Sequence, residues 1–94
     1  MTEEYAIEME LNTLADMMAK KNSDYGSAAF DSPLLVALTP STAVLVRLSD
    51  KIKRLEHLAR NSALIGETFE DTIRDLAGYC VLYLAIKRTE EDHA

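Results

Sequence analysis

The amino-acid sequence predicts an all-α protein, and three observations lead there. Apolar residues recur at steps of three and four along most of the chain, the period of amphipathic helices. Three Gly and two Pro leave little turn chemistry for a many-stranded sheet. Hydrophobic residues at 48% beside charged residues at 28% describe a globular chain rather than a disordered one. The expected architecture is one domain over residues 1–94, a compact bundle of three main helices with room for a further short one. A chain of 94 residues is near the lower end of those that bury a self-sufficient core, so the bundle is expected to be completed by oligomerisation as a homo-oligomer.

The first helix is expected from about Thr2 to Lys21, where Ile7, Leu11, Leu14 and Met18 follow steps of four, three and four. Glu3 and Glu4 suit its positive N-terminal end, and Lys20 and Lys21 its negative C-terminal end. Asn22, Ser23, Asp24 and Gly26 then read as a loop, because these residues tolerate turn conformations. Between Phe30 and Thr42 a short helix could start at Ser32-Pro33 and bury Leu34, Leu35, Val36 and Leu38. Thr39-Pro40-Ser41 is a helix start signal, and Leu45, Leu48, Ile52, Leu55 and Ala59 trace the apolar face of a helix running to about Arg60. Asn61, Ser62 and Gly66 interrupt the pattern. Phe69, Ile73, Leu76, Cys80, Tyr83 and Leu84 restore it in a last helix expected to end near Lys87 or Arg88, followed by a frayed polar tail from Thr89 to Ala94.

Composition narrows the function. A formal charge of −6 and a pI near 4.8 argue against a basic surface wrapping an extended nucleic acid, which needs many Lys and Arg to displace counterions. A small anionic ligand held by a local cluster of cations remains open. Cys80 is the only cysteine, so no intrachain disulfide and no Cys/His zinc spacing exist. The acidic start, Met1-Thr2-Glu3-Glu4, does not resemble a secretory signal, and no apolar run approaches the ~20 residues needed to span a bilayer. A soluble cytoplasmic protein is expected.

Two charged stripes carry the chemistry. At about 100° per residue, Arg47, Asp50, Lys51 and Arg54 share an arc of one helix beside its apolar face. Arg offers a planar fork for phosphate oxygens, Lys a mobile point charge, and Asp50 could orient an Arg or join a metal shell. The same residues also read as a solvated face with i,i+4 ion pairs. On the next helix Glu67, Asp71 and Asp75 are spaced i, i+4, i+8, which destabilises an isolated helix unless a cation offsets the repulsion. Mg²⁺ takes oxygen ligands and typically uses one or two carboxylates plus phosphate, so these residues are the candidate metal set. The alternative is that acids near a helix start complement its dipole, which covers Glu67 and Asp71 better than Asp75. Gly78 lies on the same arc and permits close approach.

Elsewhere, Lys20-Lys21-Asn22-Ser23-Asp24-Tyr25-Gly26 combines cations, a carboxylate and an aromatic ring that could stack on a base. Tyr25 reads equally as a cap on the core. Tyr79 and Tyr83 read as core edge, and Cys80 as an inert core thiol. Neither His57 nor His93 is placed to act as a general base, and no Ser or Cys has a partner for nucleophilic catalysis.

The order of KKNSDYG, VRLSDKIKRLEHL and GETFEDTIRDLAGYCVLYL, from Lys20 to Leu84, resembles the phage and prophage family called nucleotide modification associated domain one. That family is compact and α-helical. The resemblance implies a nucleotide site on Lys21, Asn22, Asp24, Tyr25 and Gly26, then Arg47, Asp50, Lys51 and Arg54, then Glu67, Asp71, Thr72, Asp75 and Tyr79. A more distant similarity, carried by Glu67 to Asp71, is to MazG-like all-α nucleoside triphosphate pyrophosphohydrolases, which hold Mg²⁺ and a nucleotide with acidic residues. Here Arg47-x-x-Asp50-Lys51 stands where those enzymes usually carry Glu-x-x-Glu, so binding is the firmer expectation and hydrolysis the weaker.

Three functions follow as expectations. The first is a phage-type nucleotide-binding protein acting as a Mg²⁺-dependent pyrophosphohydrolase in nucleotide metabolism or modification. Glu67, Asp71 and Asp75 would hold metal, with Asp50 or Asp24 assisting, and Lys21, Arg47, Lys51 and Arg54 would hold phosphates. The second is a non-catalytic anti-defence binder that sequesters a nucleotide or a cyclic oligonucleotide immune signal in the host cytoplasm. The third is a structural or inhibitory module whose acidic surface engages a basic protein.

Overall fold

In the computed structural model the described residues are 1–24, 28–31, 37–61 and 69–92. They form three long helices, α1 (Glu3–Asp24), α2 (Pro40–Arg60) and α3 (Phe69–Asp92), with a short 3₁₀ turn, Ala28–Phe30, between the first two. The fold is all-α, and the described residues contain no strand. The proposed helix at Ser32-Pro33, the break at Gly66 and the tail residues His93 and Ala94 lie outside the described residues.

The start of α2 follows from its sequence. Thr39 is the N-cap and its hydroxyl accepts from the Thr42 amide at 3.3 Å, while Pro40 occupies a first-turn position where no amide donor is needed. Asn61 closes the helix, its amide donating to the His57 carbonyl at 2.9 Å.

Both other helices run longer than the sequence predicts. α1 continues through Asn22, Ser23 and Asp24, which were expected in a loop. Near a helix end these residues cost only tenths of a kcal/mol each, roughly, and do not stop it. α3 continues through the expected tail to Asp92, where Thr89 Oγ1 donates to the Ile86 carbonyl at 2.8 Å and Lys87 pairs with Glu90 at 3.4 Å.

α2 and α3 form a hairpin. Lys51 meets Asp75 at 3.2 Å, and Arg47, one turn earlier on α2, lines the same cleft as Tyr79 and Leu82, one and two turns later on α3, the order in which antiparallel helices place their residues. The packed seam of α2 is Ser41, Val44, Leu48, Lys51, Leu55 and Leu58, of which Ser41 and Val44 are buried. This corrects the expected face, because Leu45 and Ile52 are 42% and 43% exposed. On α3 the buried or half-buried residues Thr72, Asp75, Tyr79, Tyr83 and Ile86 share one arc, and Lys51 of the α2 seam meets Asp75 at 3.2 Å. Thr72 and Ile86 are buried. Cys80, expected in the core, is exposed.

α1 packs differently. None of its residues is buried, and of the expected stripe Ile7 and Leu11 are exposed while Leu14 and Met18 are half-buried. Glu10 and Lys21, three turns apart on α1, meet Arg74 and Asp75, which are adjacent on α3. Leu14 Cδ1 lies 3.8 Å from where a Cβ at Gly78 would sit. α1 therefore lies across α3 rather than along it. No helix among the described residues is long and apolar enough to cross a membrane.

Candidate functional site

The crossing of α1 over α3 creates a cleft of about 570 Å³. Lys21 and Asn22 reach it from the end of α1, Arg47 and Lys51 from α2, and Asp75 and Tyr79 from α3. Met17, Met18, Ala28, Ala29, Gly78 and Leu82 supply the apolar wall. On α2, Lys51 lies in the packed seam and Arg47, one turn earlier, at its exposed edge, at the spacing i, i+4 that stacks side chains on one face.

Asp75 organises the charge. Lys51 Nζ donates to its Oδ2 at 3.2 Å, and Lys21 Nζ stands 3.8 Å from its Oδ1. The carboxylate thus joins a cation from α1 to one from α2. Lys51 and Asp75 are about three-quarters covered, whereas Lys21 is 56% exposed. Arg47 makes no ion pair with any described residue and is exposed beside them. Three cations and one carboxylate in the cleft leave a local excess of positive charge on a chain whose total is −6.

A second strut fixes the far end of the crossing. Arg74 Nε and Nη2 both bond to the Glu10 carboxylate at 3.3 Å, and Arg74 Nη1 lies 3.6 Å from Asp71 Oδ1. Hydrogen bonds and charge from Arg74 hold the Glu10 carboxyl below its ordinary value, and the same contact raises the Arg74 guanidinium.

Other residues expected at the site fall elsewhere. Arg54, Asp50 and Asp24 are exposed outside the cleft lining, and Asp71 is exposed on the Arg74 side of α3. Thr72 is fully buried. Tyr25, Gly26 and Glu67 lie outside the described residues. The apolar wall was not foreseen, since Met17, Met18 and Leu82 look like core in a sequence and Ala28 and Ala29 carry no distinguishing pattern.

The described carboxylates do not assemble a Mg²⁺ shell. Both oxygens of Asp75 face ammonium groups and Asp71 faces a guanidinium. Among the described residues no three His, Cys, Asp or Glu converge to hold a metal ion. Hard oxygen ligands need to be presented together and unpaired by protein cations, which these are not.

Compared with family models, curated proteins and solved structures, the chain matches none of them. The chemistry of the cleft therefore carries the functional argument. It can accept a compact anion by direct charge-assisted hydrogen bonds from Lys21, Arg47 and Lys51, with Tyr79 and the Met side chains offering a flat apolar surface beside them.

Proposed function

We propose that this chain is a nucleotide-binding protein that holds its ligand in the α1/α2/α3 cleft without transforming it. The observation that supports this most is the convergence of Lys21, Arg47 and Lys51 from two helices on one cleft, with Tyr79 and Met18 beside them. Phosphate suits the cations, and a base suits the aromatic and thioether wall. The volume lies in the range of small-molecule sites. The resemblance to a phage nucleotide-modification family agrees with this ligand class. It also motivates the biological role we propose, sequestration of a nucleotide or cyclic oligonucleotide signal by a phage protein in the host cytoplasm.

Hydrolysis is the second reading, and the i,i+4 pair Asp71 and Asp75 is what favours it. Their present partners are protein cations, so Mg²⁺ would have to arrive with the ligand's phosphates and displace Lys21 or Lys51 from Asp75. Binding without turnover needs no such rearrangement.

The test is mass spectrometry of small molecules released by denaturing the protein after incubation with a nucleotide panel, with Mg²⁺ and with EDTA. Sequestration predicts recovery of intact nucleotide in both conditions. Release of monophosphate and pyrophosphate would replace sequestration by hydrolysis, and no retained nucleotide would overturn the ligand class.

A further inference from the structure

α1 is the least anchored of the three helices, yet the cleft needs it. It buries none of its 22 residues, whereas α2 buries Ser41 and Val44 and α3 buries Thr72 and Ile86. Its ion pairs with α3 stand in water, since Glu10 and Arg74 are 62% and 42% exposed and Lys21, which faces Asp75, is 56% exposed. Pairs so placed contribute little to stability. An element with few buried groups opens locally, well before the whole protein unfolds. Most helical stability comes from packing an apolar face, so α1 lifted from the hairpin loses helix as well. The cleft loses a wall at the same moment, because Met17, Met18, Lys21 and Asn22 all line it from α1.

We propose that α1 is a strap closed by the ligand: an anion held by Lys21 of α1 together with Arg47 and Lys51 of α2 ties α1 to the hairpin, so that binding and docking stabilise each other. This rests on the reading of the cleft as a nucleotide site. Lys21 is suited to the task. It stands 3.8 Å from Asp75, beyond hydrogen-bonding distance, so its ammonium donors are not committed to that carboxylate, unlike those of Lys51 at 3.2 Å. A phosphate presents several acceptor oxygens and forms short charge-assisted hydrogen bonds with more than one cation. The coupling is reciprocal. A ligand that binds only when α1 is docked lowers the open population by one plus the ratio of ligand concentration to Kd.

Hydrogen exchange of the full chain, read by mass spectrometry at residues 10–14, tests this, because that stretch of α1 does not line the cleft. Without ligand these amides should exchange at least about tenfold faster, corrected for intrinsic rates, than those around Val44 and Ile86. The probes are ADP, GDP, CDP and UDP in turn and inorganic pyrophosphate, all with EDTA, and calorimetry in the same buffer supplies each Kd. A probe at about ten times its Kd should slow residues 10–14 about tenfold, and in Lys21→Met at the same saturation that gain should fall to about threefold or less. Exchange at 10–14 no faster than in the hairpin overturns the strap, as does a full gain retained by Lys21→Met. A nucleotide that binds without slowing α1 overturns the strap and leaves the nucleotide reading standing. Pyrophosphate that slows α1 while no nucleotide binds does the reverse, and no binding by any probe overturns both. If Lys21→Met fails to fold or to bind, the wild-type exchange with and without probe decides.

Discussion

Asp75 is the residue on which the two functional readings part. In a metal site it is a ligand, and its loss abolishes binding or turnover. In the cleft described above it is an internal counterion that holds Lys51 and Lys21 in place at 3.2 and 3.8 Å and repels an incoming phosphate. Asp75→Asn should therefore tighten nucleotide binding by about fivefold, the effect of relieving ~1 kcal/mol of repulsion at a few ångströms in a hydrated site. Fluorescence titration with a labelled nucleotide reads this directly, and loss of binding in the variant would restore the metal reading. Glu10 gives a pH-dependent prediction at the same scale. Its folded-state acidity is strengthened by Arg74, so its contribution is present above the ordinary carboxylate value of 4.5 and is lost as pH falls through the lower folded value. Amide exchange of α1 should accelerate on acidification through that window. In Glu10→Gln it should be faster at neutral pH and lack that acid step, while a wild type whose α1 protection ignores pH there would contradict the strut.

At the scale of elements, α3 shows where packing overrides the pattern read from sequence. Apolar spacing placed Cys80 and Ile73 inward, yet both are exposed, while Thr72 and Ile86 are buried and Asp75 bonds Lys51 of α2. Periodicity alone finds that a helix is amphipathic. It does not choose between two apolar arcs on one helix. Helix starts were more legible than helix ends, since Thr39-Pro40 has a local capping mechanism whereas the extensions through Asp24 and Asp92 depend on weak propensities and i,i+3 contacts. Gly78 is the element-scale test of the crossing. A Cβ there would meet Leu14 Cδ1 at an ordinary 3.8 Å, so Gly78→Ala should stabilise the protein by up to about 1 kcal/mol through helix propensity. Urea denaturation checks it. Destabilisation would mean that α1 sits closer to α3 than described.

For the whole molecule, charged residues at helical spacing announced a site, and the fold gathers Lys21, Asn22, Arg47, Lys51, Asp75 and Tyr79 from three helices into it. Sequence spacing could group residues within one helix, but only the steep crossing of α1 over α3 brings Lys21 to Asp75. Arg54 and Asp50 shared the stripe with Arg47 and Lys51 but are not among the residues that line the cleft. The acidic net charge hid this basic centre. We propose that a nucleotide's phosphates are held there by direct contact with protein cations. Arg47 is the cleanest probe, since it pairs with no described residue and its removal orphans no buried charge. Isothermal titration of the wild type and Arg47→Ala with the same nucleotide, with EDTA present and at two salt concentrations, tests that claim most directly. Metal-independent binding by the wild type that weakens with salt is expected, with a loss of about tenfold or more in Arg47→Ala, as for a charge-assisted hydrogen bond. Equal affinity in both proteins, or binding that vanishes with EDTA, would contradict it.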